Sequence, residues 1–424
     1  MSELPDGWTQ TTLGALGSYW NGRGFKKSEW RPEGQGRQII RIQDLTGSHQ
    51  RPNYFNGVVE EHQVARKGDI LVSWAATLGV FEWPGPEAVI NQHIFKVDSF
   101  IDRRFHRYLL ESVLADLRRR SHGTGMVHVT RKVFEDTVVW LPPIREQERI
   151  VAAIEEQVSR LDTAEQLLRS ARRRADRMRA AALAAVTPAD CKWTTLGEIA
   201  EIVGGVTKDS KRQSDPSFVE MPYLRVANVQ RGYLDLREVT TIRVSSEKAK
   251  ALRLEPGDIL FNEGGDRDKL GRGSIWQGEI DDCIHQNHVF RARLLTNDAD
   301  PKYVSLHGNT FGQQWFEKMG KQTTNLASIN LNTLKSFPVP DLPAEEQHRI
   351  VAEVERRLTI LESLSTAIDH ALTRSDHLRR SILESAFTGK LVPQAPDDEL
   401  AFELLARIAL DHRKTTKPRR RQRA

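Results

Sequence analysis

The chain has 424 residues, with 62 Lys and Arg against 57 Asp and Glu and a formal net charge of +5, which is too long for one typical domain. Its two cysteines, Cys191 and Cys283, stand far apart with no C-x-x-C, so neither a disulfide framework nor a cysteine zinc site organises it. The cations cluster at Arg118 to Arg120, at Arg172 to Arg174 and in a terminal K-P-R-R-R-Q-R, which favours a polyanionic partner.

The opening M-S-E-L-P-D-G-W has no basic-then-apolar leader pattern, and no apolar run reaches the length of a membrane span, so a cytoplasmic protein with no membrane partner is expected. W-T-Q-T-T-L-G-A-L (8–16) starts a series of short apolar runs. I-I-R-I-Q-D-L (39–45), R-K-G-D-I-L-V-S-W (66–74) and I-N-Q-H-I-F-K-V (90–97) read as strands, the second reached through a Gly-Asp turn. A helical stretch over 103–120, a polar loop and a last strand ending in proline complete this first segment.

L-P-P-I-R-E-Q-E-R-I-V-A-A-I (141–154) then opens a long helix. From Ile150, the residues Ile154, Leu161, Ala164, Leu168, Ala171, Ala175, Met178 and Ala182 keep three-and-four spacing, broken only by Gln157 with Val158 beside it, a heptad seam. Roughly forty residues at about 1.5 Å each predict a rod of about 60 Å.

The second half repeats the first. W-T-T-L-G-E-I-A (193–200), Y-L-R-V-A-N-V (223–229), E-P-G-D-I-L-F-N-E (255–263) and H-Q-N-H-V-F-R-A (285–292) answer the earlier strands, and a helical stretch over 301–319 answers the earlier helix. L-P-A-E-E-Q-H-R-I-V-A-E-V (342–354) opens a second rod whose seam runs Ile350, Val354, Leu361, Leu364, Ile368, Ala371, Leu378 and Ile382, with Arg357 and Ser375 as polar exceptions. The expected architecture is α+β: two similar domains alternating with two long helices that pack on each other. Its boundaries are 1–142, 143–187, 188–341 and 342–392, with a tail over 393–424.

Catalytic signatures are missing. S-D-P-S-F (214–218) lacks the second proline of the D/N-P-P-aromatic motif of amino-methyltransferases, and neither G-x-G-x-x-G nor G-x-x-x-x-G-K-[ST] occurs. No metal ligand set is indicated. H-G-T-G-M-V-H-V-T (122–130) precedes a strand, which fits phosphate contact better than nucleotide binding. His93 and His288 share an apolar strand context and read as structural histidines.

Binding signals are stronger. The polar loops between the matched motifs differ between the copies and mix cations with Gly, Asn, Gln, Thr and Trp, the chemistry of phosphate positioning and base-edge contact. In the first segment the DNA-binding candidates are Arg23, Lys26, Lys27, Arg31, Trp74, Arg118, Arg119, Arg120, His122, Thr124, Arg131 and Lys132. In the second they are Lys208, Lys211, Arg212, Arg267, Lys269, Arg272, Lys318, Lys321, Gln322, Thr323 and Asn325.

The alternation of two variable segments with two repeated helices, the L-P-P-I-R-E-Q and L-P-A-E-E-Q motifs, and the ending A-F-T-G-K-L-V-P-Q (386–394) resemble the specificity subunit of type I restriction-modification systems. The resemblance implies that the segments are target recognition domains, each reading one half of a split sequence in double-stranded DNA. It implies further that the rods pack antiparallel as a spacer and dock two methyltransferase subunits, with Glu146, Gln147, Arg149, Glu346, Gln347 and Arg349 as partner-binding candidates. S-adenosylmethionine, ATP and magnesium would then belong to those methyltransferase subunits and to restriction subunits, leaving this chain without a cofactor or a catalytic role. Two other readings stay open at this point. A DNA methyltransferase or nuclease acting alone would transfer methyl groups or cut as the purified chain, and a DNA-binding regulator would bind its site tightly without partners.

Overall fold

The structure is a computed structural model that describes residues 5–48, 51–75, 77–121, 130–209, 212–214, 216–265, 269–322 and 327–415. The chain forms two compact units, residues 1–168 with 370–424, and residues 169–369.

In the first unit a four-stranded antiparallel sheet is built from β1 (Gly17–Asn21), β2 (Ile70–Ser73), β3 (Gly79–Glu82) and β4 (Ile94–Ser99), in the order β1-β4-β2-β3. In the second unit β5 (Ala200–Gly204), β6 (Ile259–Asn262), β7 (Gly273–Ile275) and β8 (Val289–Leu294) take the same order, β5-β8-β6-β7, again antiparallel. The duplication read in the sequence is therefore a duplication of topology.

The strands after the two Gly-Asp turns are continuously apolar because both faces of their sheet are covered. Ile70 and Val72 enter a cluster with Phe95, Phe105 and Phe134, while Leu71 faces Ile40, Trp83 and Ile90. In the second unit Ile259 and Phe261 face Phe316 and Phe337, while Leu260 faces Leu224 and Trp276. Each turn uses its two signature residues for different reasons. Gly68 and Gly257 hold φ of 89° and 98°, where a side chain is strained. The Asp69 and Asp258 carboxylates accept the backbone N–H of Arg66 (2.8 Å) and Glu255 (2.7 Å).

Three expected strands are interrupted. The run over 39–45 is a strand only to Ile40, where it pairs in parallel with Ala88–Ile90, and Ile42–Leu45 is a short helix whose Asp44 accepts from the Arg41 N–H at 2.9 Å. Asn228 does the same for Arg225 at 2.9 Å in the second unit, ending that strand at Leu224. A polar side chain bonded to its own backbone outcompetes the ladder, although the apolar alternation continues. The run over 90–97 is likewise split, into a strand ending at Ile90 and β4, so His93 stands at a turn and not within a strand.

The rod helices span Ile144–Ala184 and Ala344–Phe387. Within the first unit they run antiparallel, with Arg379 donating to Asp162 (2.5 Å) and Ser375 to Glu165 (2.8 Å). Within the second, Arg172 bonds Asp369 (3.0 Å) and the Ser365 carbonyl (3.2 Å), also antiparallel. The seam has two positions per heptad, but the second is not the one expected. Every seventh residue is buried or half-buried, namely Ile154, Leu161, Leu168, Ala175 and Ala182 on one helix and Val354, Leu361, Ile368, Ser375 and Ile382 on the other. The intervening Ala164, Met178, Leu364 and Leu378 are exposed, and the second position is taken one residue later, by the half-buried Val158, Glu165 and Arg172 on one helix and Leu358, Ser365, Leu372 and Arg379 on the other. The polar Ser375 is no flaw in this stripe, because its hydroxyl is the group that bonds Glu165.

A candidate nucleic-acid interface on each unit

The loop after β1 and the turn before β4 are laid directly against each other, and glycine makes this contact available. A Cβ on Gly22 would come within 2.2 Å of the Ile90 carbonyl oxygen, and one on Gly205 within 2.0 Å of that of His285. The backbones then exchange bonds in the same pattern. Arg23 N–H donates to Ile90 O and Val206 N–H to His285 O, each at 2.8 Å, while Gln92 N–H donates to Arg23 O and Asn287 N–H to Val206 O, each at 3.0 Å. The end of the central strand joins them: Trp74 N–H reaches His93 O at 3.3 Å and Glu263 N–H reaches His288 O at 2.9 Å. Three loops thus converge at one end of each sheet, in the same geometry twice.

At this convergence the side chains differ. The Gln92 amide donates to His93 Nε2 (3.2 Å) and the Asn287 amide to His288 Nε2 (3.3 Å), so each ring carries its proton on Nδ1. In the first unit Trp74 lies beside His93 with ring centroids 5.4 Å apart and stacks on Phe95 at 5.8 Å, and His93 Nδ1 is buried with no hydrogen-bond partner among the described residues. In the second unit His288 Nδ1 donates to the Glu263 carboxylate. Sequence reasoning passed over Gln92, Asn287 and Glu263 because it selected cations. The signal that exposes them is the aligned pair I-N-Q-H and H-Q-N-H, with Ser-Trp facing Asn-Glu at the strand ends.

The neighbouring His285 is a different kind of residue: buried, bonded to Val289 O at 2.6 Å and pushed down to about 4 by desolvation, it stays neutral and structural. His106, with Tyr19 and Ser99 each at 2.8 Å, is pushed down to about 3 by burial and serves the core in the same way.

The predicted cations divide. Arg23 flanks the convergence, yet its guanidinium packs over Phe25 and Phe55 at 5.2 and 4.8 Å and pairs with Glu29 at 2.5 Å, so most of its charge is spent on shaping the loop. Lys26, Lys27 and Lys208 on the following loops are exposed. Arg31 is exposed and bonds the Ser28 and Trp30 carbonyls at 3.1 and 3.0 Å. Arg131 extends over Trp20 of β1 at 5.4 Å while bonding Glu135 at 2.7 Å, beside an exposed Lys132. Arg272 bonds the Val226 carbonyl at 3.3 Å and Lys269 is half-buried, so both are part of the scaffold as well as of its edge. Arg118, Arg119 and Lys318 are exposed on helices, and Arg119 is paired with Asp116 and lies in the field of Glu384 of the second rod helix. His122, Thr124, Lys211, Arg267, Thr323 and Asn325 lie outside the described residues, as do the side chains of Arg120, Arg212, Lys321 and Gln322.

The repeated glutamate and glutamine that open the rods are largely fold-keeping groups. Gln147 Nε2 turns back to Pro142 O (2.9 Å) and Gln347 Nε2 to Leu342 O (2.7 Å), and Gln347 Oε1 also accepts the Asp300 N–H at 2.8 Å. Both glutamines are buried, as is Glu146, which accepts from Trp8 Nε1 (3.1 Å) and Gln394 Nε2 (2.7 Å) and whose pKa burial raises. Arg149 is paired with Asp398 at 2.7 Å. For Glu146, Gln147 and Gln347 the expectation of a partner-facing side chain is corrected, because each is buried within its own unit, whereas Arg149 stays half-buried beside Asp398. Glu346 and Arg349, paired with each other at 3.3 Å, are open to solvent.

Comparison with known proteins places this duplicated scaffold. The family described as Type I restriction modification DNA specificity domain matches residues 5–170 and again 188–372, most of the chain. The chain belongs to that family. Among its relatives, the EcoBI specificity subunit of Escherichia coli is 24% identical over 92% of this chain and 88% of its own length, and the StySPI specificity subunit of Salmonella potsdam is 25% identical over 73% and 67%. The fold is shared with a chain solved in work on the assembly and conformational transition of a type I R-M system, with a TM-score of 0.66 at 20% identity over 92% of this chain and all of that one. The HsdS subunit from Thermoanaerobacter tengcongensis gives 0.54 at 19% identity, over 92% and 98%. As a DNA specificity subunit, the chain supplies sequence recognition, and its two domains fit a target in two parts.

Proposed function

We propose that each loop convergence reads one half of a bipartite duplex target, and that the chain lends this specificity to methyltransferase and restriction subunits that carry the chemistry. The observation that carries the reading is one backbone arrangement presented twice with different side chains at its tip: Trp74 with Gln92 and His93 in one unit, Glu263 with Asn287 and His288 in the other. A constant frame with a changeable tip is what independent half-site readout requires. The exposed cations, Lys26, Lys27 and Lys208 on the flanking loops and Arg131 at the start of the short helix Arg131–Glu135 among them, then position phosphates and contribute affinity without sequence. Adenine methylation with S-adenosylmethionine, and ATP- and magnesium-dependent cleavage, are assigned to the partners, two methyltransferase subunits and the restriction subunits. The exposed rungs of the rods and the open Glu346 and Arg349 are surfaces on which such partners could dock.

The test is an exchange of residues 15–130 for those of a homologue of different specificity, read as the methylated motif in a host carrying the methyltransferase. One half of the motif is expected to change and the other to stay. A change in both halves refutes independent readout.

A further inference from the structure

We propose that Glu263 is a base-reading residue of the second unit, and that its carboxylate accepts a hydrogen bond from the N4 amino group of a cytosine in the major groove. The proposal rests on the half-site reading above and adds to it a named residue and a named base.

Four observations carry it. Glu263 follows directly on β6, and its backbone is fixed on both sides, by its N–H on His288 O (2.9 Å) and by its carbonyl accepting the Ile329 N–H (2.8 Å). Its side chain is held as well: Oε2 accepts the His288 Nδ1–H, and the Asn287 amide on Nε2 fixes that ring. The second oxygen, Oε1, has no hydrogen-bond partner among the described residues, and the side chain is 28% exposed, so an oriented acceptor faces outward. Finally, the corresponding position of the other unit, in the same backbone frame, is Trp74, which shows that the scaffold does not need a carboxylate there.

Electrostatics decides what such an acceptor is for. A carboxylate on a surface that approaches phosphates repels them, so it weakens nonspecific binding, unless it meets a donor that the backbone of DNA does not have. The donors in the major groove are exocyclic amino groups. Adenine places its N6 donor beside the N7 acceptor, an edge that suits an amide, whereas the isolated N4 donor of cytosine suits a carboxylate. The His288 bond lowers the entropic cost of that contact by holding Glu263 in place before DNA arrives.

The test uses the full chain assembled with its methyltransferase subunits and a duplex panel carrying every base pair at each position of the wild-type motif, comparing wild type with Glu263→Gln. At one G·C pair in the half-site read by the second unit, discrimination is expected to fall about tenfold, with A·T gaining because a glutamine amide satisfies both adenine groups. Selectivity in the other half-site, measured on the same panel, must stay unchanged and reports that the variant is folded and assembled. The proposal is overturned if every position keeps its selectivity, if all sequences weaken equally, or if the affected pair is A·T in the wild-type motif. A wild-type complex with no sequence preference at all overturns the half-site reading and this proposal with it.

Discussion

Glu146 shows how a residue that looks like a surface contact in sequence becomes an internal one. Desolvation raises its pKa, so the folded state binds its proton more tightly than the unfolded state does. Stability therefore falls as pH rises from the ordinary carboxyl range through the raised folded value, and stays at the lower level above it. Glu146→Gln keeps an oxygen for Trp8 and Gln394 and removes the charge. The variant is expected to be at least as stable as wild type at neutral pH and to lose that component of the pH dependence, as read from denaturant melts between pH 4 and 8. A variant clearly less stable at neutral pH contradicts this account. Trp8→Phe has the opposite sign: it leaves the carboxyl short of a donor and should cost about 1–2 kcal/mol. The motif E-Q could be found by its recurrence, but not its direction. Which side of a helix start is covered depends on Gln394 and Asp398, some 250 positions away, and no local pattern announces that contact.

Among the elements, the C-terminal helix Ala401–Thr415 explains why the two rod starts differ. In the first unit Ala401 and Leu404 are buried in the cluster that holds Ile150, Val151 and Ile154, and Ala401 N–H donates to Gly7 O at 3.0 Å. In the second unit the corresponding apolar residues, Val351 and Val354, are met by Val186 and by Tyr303, whose hydroxyl bonds the Val186 carbonyl at 2.9 Å. Leu404→Ala should therefore cost about 2–3 kcal/mol, felt in one unit. Hydrogen exchange is expected to quicken over 144–154 and not over 344–354; equal loss in both segments would show that the helix does not act locally. The repeats and the Gly-Asp turns were legible because glycine at positive φ and buried apolar runs are local requirements. The choice of the second seam position was not, since Met178, Leu364 and Leu378 satisfy the same spacing while facing solvent and polar residues such as Glu165, Arg172 and Arg379 are half-buried in their stead. The segment over 393–424 reads only as a tail, yet its helix completes a core, because a few apolar residues at helical spacing are enough.

For the whole molecule, helix length becomes a functional quantity under the proposed reading. The buried stripe repeats every seven residues on both rods, from Leu161 to Leu168 to Ala175 and from Leu361 to Ile368 to Ser375. An insertion that respects this period preserves the pairing; one that does not rotates Asp162, Glu165 and Arg172 away from Arg379, Ser375 and Asp369. Seven residues inserted in each rod, near Ser170 and near Ala371, add about 10 Å of helix. If helix length sets the unread spacer, the methylated motif should keep both half-sites and gain up to about three base pairs between them, at about 3.4 Å per pair. Four residues inserted in one rod alone should instead break the register and lower activity on every spacing. A paired seven-residue variant that remains active on the original spacing would sink the ruler idea while leaving half-site recognition intact, because the loop convergences lie wholly within their own units and do not depend on the length of either helix.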